Sequence, residues 1–143
     1  MKKFFTIHFA IAWIVYIFLD FVCIGIGMGV PVFSIMLGFP TGWYIARRYS
    51  ITADKNEVMK KSFLAASAAI LVTFIFMALI WGPSGMMIFD PQADFENFGH
   101  PYFLYDPHIS FVGWIVLMIV ISPFLQLLTT VFASYVTVMK TLR

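Results

Sequence analysis

Asp20 is the side chain through which this sequence could most directly do chemistry. It is the one charged residue in the 43 positions from Phe4 to Ala46. An ionisable group in so apolar a run is costly and marks a functional site by default. Buried without a cation, it could carry a proton or bind a cationic solute. The glycine-rich turn that follows places it one to two helical turns below the outer end of its helix. There, interfacial water or a hydrogen bond from another helix could hold it.

A second set is uncharged. Ser122, Gln126, Thr129 or Thr130, Ala133 or Ser134, and Thr137 recur at steps of three to four, which aligns them along one helix face. Hydroxyls and amides on such a face turn from lipid toward protein, where they hydrogen-bond. The stripe reads first as interhelical glue. Its second reading is a solute path, with Asp20, Ser122, Gln126 and Thr130 as the transport or proton-coupling candidates.

The third set is His100, Asp106 and His108, with Asp90, Asp94 and Glu96 nearby. Imidazole and carboxylate suit zinc, and a catalytic site needs three such ligands and an open position. Their spacing matches no established metal motif, and Pro101 and Pro107 beside them are equally at home in turns. The single Cys23 allows neither an internal disulfide nor a thiolate cluster. Gly25, Gly27 and Gly29 form a Gly-x-Gly-x-Gly string with no βαβ unit around it, so a dinucleotide loop is excluded. His8 stands alone near the start of the first helix, as an interfacial residue would. No nucleophile–base pair or phosphate loop is present. The expectation is a non-enzymatic chain without cofactors.

Composition says what positions these residues. Of 143 residues, 62% are apolar and 11% charged, against roughly 45–50% and 25% in an ordinary soluble domain. So few charges cannot cover a soluble surface of this size. The aromatics oppose disorder, and a net charge of +2 reflects scarcity rather than a basic surface for nucleic acid. The predicted fold is an all-α integral membrane protein, one domain over 1–143, with four transmembrane helices at about 4–24, 28–46, 62–81 and 111–139. A structured outer cap over 82–110 joins the third and fourth.

Cations set the direction. Lys2 and Lys3, then Arg47, Arg48, Lys55, Lys60 and Lys61, then Lys140 and Arg143 share one side of a four-span chain, while the segment between the last two spans carries only acids. The positive-inside rule then puts both termini in the cytoplasm, with the chain in the plasma (inner) membrane and its first helix uncleaved. Charge alone leaves open whether the first hairpin spans fully or re-enters; its length favours spanning.

Local signals refine the elements. Asp54 followed by Glu57 fits an N-cap with its acidic N3 partner, which starts the third helix early and carries it from Lys55 to Trp81. Pro123 deprives the Ile119 carbonyl of its donor and should interrupt the fourth helix. Small residues predict close helix packing at Gly25 and Gly29, Gly38 and Gly42, and Ala65 and Ala69, with Pro123 shaping the fourth helix. Phe89, Phe95, Phe98, Tyr102, Phe103 and Tyr105 should order the cap, with Trp81 and Trp114 flanking it. Four short helices enclose little interior. The leading expectation is therefore association within the bilayer, as a homo-oligomer or as an accessory subunit of a membrane complex. The alternative is an ion- or proton-coupled small-solute transporter working as a homo-oligomer.

Overall fold

The computed structural model describes residues 5–27, 30–51 and 54–141. Its regular structure is all helical, with no strand among the described residues. Helix α1 covers Phe9–Gly27 and α2 Val32–Tyr49; α3 covers Lys55–Gly85 and runs on into a 3-10 turn at Met86–Phe89. Helix α4 covers Pro107–Val116, a π-helical turn follows at Leu117–Ile121, and α5 completes the same rod at Ser122–Thr141.

Three of these segments are long and apolar enough to cross a membrane: Phe9–Gly27, Lys55–Phe89 and Pro107–Thr141. At about 1.5 Å per residue, the two longer rods exceed the roughly 30 Å of a hydrocarbon core. Helix α2 is not among the three. Arg47 and Arg48 lie in its last turn, and Gly38, Pro40 and Gly42 dilute its middle. It nevertheless runs back along α1, because the Arg48 guanidinium at its end donates to the Ile7 carbonyl at 2.7 Å.

The expected boundaries shift in identifiable ways. The first helix reaches Gly27 rather than 24, and the second starts at Val32 with Pro31 at its N-cap. Asp54 caps α3 as expected, its carboxylate accepting from the Glu57 N–H at 2.8 Å. That helix does not stop at Trp81; it continues through Pro83 to Gly85. At the other end Asp106 caps α4 by accepting from the Ile109 N–H at 2.8 Å, with Pro107 at the first helical position, where a missing N–H costs nothing. The non-helical part of the cap is thus shorter than the expected 82–110.

Pro123 does interrupt its helix, in a specific form. The Ser122 N–H reaches back five residues to the Leu117 carbonyl, so the turn just before the proline is widened. A wide turn accommodates a ring that would otherwise press on the carbonyl four residues earlier.

Two apolar clusters lie toward the ends of the bundle. At the cap end, Ile24, Met77, Phe111, Trp114, Ile115 and Met118 are buried together, with Phe95 and Phe98 of the loop packed onto them. At the cation-rich end, Ala46, Val58 and Val138 form a smaller cluster. Between the clusters, α2 and α5 are in very close contact. A Cβ on Gly38 would stand 2.7 Å from the Gln126 carbonyl oxygen and clash with the Thr129 hydroxyl. A Cβ on Gly42 would strike the Thr130 carbonyl oxygen, with its carbon at 2.9 Å. The closeness lets Thr129 donate to the Ile35 carbonyl at 2.9 Å and Ser134 to the Gly42 carbonyl at 3.0 Å.

Candidate polar site inside the helix bundle

Asp20 is completely buried. The Thr73 hydroxyl of α3 donates to its Oδ2 at 2.9 Å, and the Gln126 amide of α5 donates to its Oδ1 at 3.2 Å. The same amide lies 3.3 Å from the Tyr16 hydroxyl. Tyr16 stands 3.0 Å from Thr73 Oγ1 and can donate to the Ala69 carbonyl, also at 3.0 Å. One carboxylate thereby joins three helices through a network in which both of its oxygens accept.

Each helix supplies its member for a local reason. Tyr16 and Asp20 are four residues apart and so share one face of α1. Asp20 and Ile24 are the two buried residues of that helix, so the network is much of what attaches α1 to the bundle. Gln126 belongs to the stripe of α5, and Ser122, Gln126, Thr130, Ser134 and Thr137 are all buried. Thr130 and Thr137 return their hydroxyls to their own helix, to the carbonyls of Gln126 and Ala133, each at 2.7 Å. Of the four transport candidates, the structure therefore joins Asp20 and Gln126. Thr130 lies one turn away against Gly42, and the Ser122 hydroxyl is buried without a partner among the described residues.

Asp20 sits about two turns before the end of α1, level with Thr73 of α3. Its partner Thr73 is eight residues, or about 12 Å of helix rise, before Trp81, and Trp81 meets Trp114 edge-to-face at 4.9 Å. Among the described residues, the ion pair is Lys61 with Glu57 at 2.6 Å, far along α3; no cation reaches Asp20. Among the described residues, the carboxylate is held by neutral donors alone.

The packing residues divide. Gly38 and Gly42 lie against α5, and Ala69 is buried under Tyr16. Ala65, half-buried, lines a cavity beside α1. Gly25 has nothing within 4 Å of where a Cβ would sit, so the close packing expected there is corrected; Gly29 lies outside the described residues.

The metal reading is also corrected. Among the described residues no three His, Cys, Asp or Glu side chains come together as ligands. Asp106 is engaged as the α4 cap. His108 lies against the Phe95 ring at 4.9 Å, and His100 is stacked on Tyr102 at 5.0 Å with Phe111 at 5.3 Å. Asp94 accepts from the Asn97 side chain at 2.6 Å and from its backbone N–H at 3.2 Å, which holds its carboxyl below the usual carboxylate range. The cap is ordered by such turns and by its aromatics, with the Ser110 hydroxyl bridging the Leu104 N–H and carbonyl at 2.9 Å each.

Sequence reading missed Thr73 and Tyr16. Thr73 looks like an isolated hydroxyl in an apolar run. Tyr16 did carry a signal, since its spacing from Asp20 aligns the two on one face.

No family model matches this chain, and neither a curated protein nor a solved structure is similar to it.

Proposed function

We propose that this chain is a non-enzymatic integral membrane protein that couples the movement of a small solute to a proton held at Asp20. The observation that carries this reading is a wholly buried carboxylate bound by Thr73 and Gln126 of two other helices, with no cation beside it among the described residues. An intramembrane carboxylate among uncharged donors is suited to taking and releasing a proton. The Gln126 amide can serve both forms. Its nitrogen donates to the carboxylate, while its oxygen has no partner among the described residues and could accept from a protonated Asp20 once the amide turns.

Four spans with both termini in the cytoplasm of a plasma (inner) membrane complete the reading. The hydrogen bond from Arg48 to Ile7 supports α2 as a span, since α2 returns beside the start of α1. Its 18 residues rise about 27 Å, close to a hydrocarbon thickness. The cation distribution supports the orientation. Association as a homo-oligomer, or with other membrane subunits, the leading expectation from the sequence, is kept as the second reading. The broad apolar outer face of α1, with Ile14 and Phe18 both more than 60% exposed, supports it. The small-residue face of α2 no longer calls for a partner, because α5 fills it.

The test is proton flux into sealed proteoliposomes carrying a pH-sensitive dye, under an imposed pH gradient. Wild-type protein is expected to exceed empty vesicles, and Asp20→Asn to remove the excess while reconstituting equally well. A wild-type flux that Asp20→Asn retains in full overturns the proposal.

A further inference from the structure

Helix α1 is anchored in its second half, where Asp20 and Ile24 are buried; no residue from Phe9 to Leu19 is. Helix α2 spends its glycine face on α5, through Gly38 and Gly42. Between the faces left over runs a groove of about 260 Å³. Its α1 wall is Ile7, Ile11, Val15 and Leu19, at steps of four residues, and its α2 wall begins with Leu37 and Pro40. The hydroxyls that reach the groove are already engaged. Thr41 donates to the Leu37 carbonyl at 2.7 Å, Tyr44 accepts from Arg48 at 3.1 Å, and Tyr16 belongs to the Asp20 network. The surface left to an occupant is therefore almost wholly apolar, which suits a hydrocarbon chain and disfavours water or a polar solute.

We infer that this groove seats one acyl chain of an anionic phospholipid whose phosphate is held at Arg47. The length fits. From Leu37 to Arg47, α2 rises about 15 Å, which is one leaflet's half of a hydrocarbon core of roughly 30 Å. Charge then identifies the head group. Trp43 borders the cation-rich end of the groove, and Arg47 follows it four residues later on the same face of α2. Arg47 is exposed and, among the described residues, in no ion pair, so its guanidinium can meet a phosphate with two parallel donors. Arg48 beside it is fixed on the Ile7 carbonyl and adds a second positive charge. Trp43, 43% exposed, meets Phe5 edge-to-face at 5.3 Å, an amphipathic ring suited to the level where head groups begin. A second copy in the same orientation would bring its own arginines to this end, like charge against like. The lipid instead supplies both the apolar filling that the first half of α1 lacks and the opposite charge. The inference does not depend on Asp20 carrying a proton.

Native mass spectrometry of the full chain in detergent tests this, with phosphatidylglycerol or phosphatidylcholine of identical acyl chains added. Wild type is expected to retain a single phosphatidylglycerol about fivefold better than phosphatidylcholine, the ratio that one cation near an anionic head group supplies. Arg47→Gln, a change at an exposed site that leaves the packing untouched, should lose that preference. Val15→Trp fills the groove and should reduce retention of both lipids. Ile14→Trp adds the same ring on the outward face, where Ile14 is 65% exposed, and should bind as wild type does. Equal retention of the two lipids by wild type overturns the inference, as does a preference that survives Arg47→Gln or a Val15→Trp that binds as well as Ile14→Trp. A lipid-free dimer that Val15→Trp dissociates also overturns it, because the occupant would then be a second copy.

Discussion

Asp20 and Gln126, 106 residues apart in sequence, meet with the Gln126 amide nitrogen 3.2 Å from the Asp20 carboxylate. The contact ties the first helix to the last, and Thr73 completes it from the third. Removing one donor leaves a buried acceptor unpaired, which costs about 1–3 kcal/mol. Thr73→Val, nearly the same size, is therefore expected to lower the unfolding free energy in detergent by about that amount, and Thr73→Ser by much less. Equal effects of the two substitutions in a thermal or denaturant titration would show that the hydroxyl is not what holds Asp20.

Gly42 and Gly25 should respond in opposite directions to the same change. At Gly42 the obstruction is the Thr130 backbone, which cannot rotate aside, and overpacking of this kind costs about 1–3 kcal/mol. At Gly25 the space is open, and alanine is the better helix former by about 1 kcal/mol. Gly42→Ala is expected to lower the melting temperature, and Gly25→Ala to leave it unchanged or raise it. Matching shifts would contradict the close approach of α2 to α5.

Phe111 is the completely buried centre of the cap cluster, within 4.9 Å of both Phe95 and Phe98 between ring centres. Phe111→Ala is expected to cost about 3–5 kcal/mol and to free the loop between Asp90 and Asp106. Limited proteolysis should then cut in that loop, whereas wild type resists. A variant as resistant as wild type would mean that the aromatics do not order the cap.

Asp94 gives a pH-dependent prediction at the surface. The Asn97 side chain stabilises the ionised carboxylate most and the Asn97 N–H next, and both lower the carboxyl's folded value. A lowered folded value contributes stability above the ordinary carboxylate range, and this is lost as pH falls through the folded value. Asn97→Ala should move the Asp94 midpoint upward in an NMR titration. An unmoved midpoint would mean that the turn does not set it.

The sequence made the residue types of the site legible, while the partnerships needed three dimensions. Asp20 and Gln126 stood out because polar groups are scarce in apolar runs, and the stripe from Ser122 to Thr137 is buried along the face its spacing defines. The partner Thr73 was not legible, because a lone hydroxyl in an apolar run carries no sign of which helix it faces. The pairs Gly38/Gly42 and Gly25/Gly29 have the same spacing. Whether a helix lies against such a pair is a tertiary fact that spacing does not encode. The caps at Asp54 and Asp106 differ in the same way. Asp54 has its acidic partner three residues on, which makes the cap legible, whereas Asp106 sits between His100 and His108 and reads as a possible ligand. Pro123 announced a break without its form, since the widened turn depends on which carbonyl the Ser122 N–H reaches.

The central claim is that a proton comes on and off Asp20, and infrared difference spectroscopy of the reconstituted protein between acid and alkaline pH reads this directly. The account predicts a titrating carboxylic C=O band in wild type that persists in Asp94→Asn and is missing in Asp20→Asn, with the latter still folded. The same titrating bands in wild type and Asp20→Asn would contradict it, and Asp20 would then be a structural tie between α1, α3 and α5.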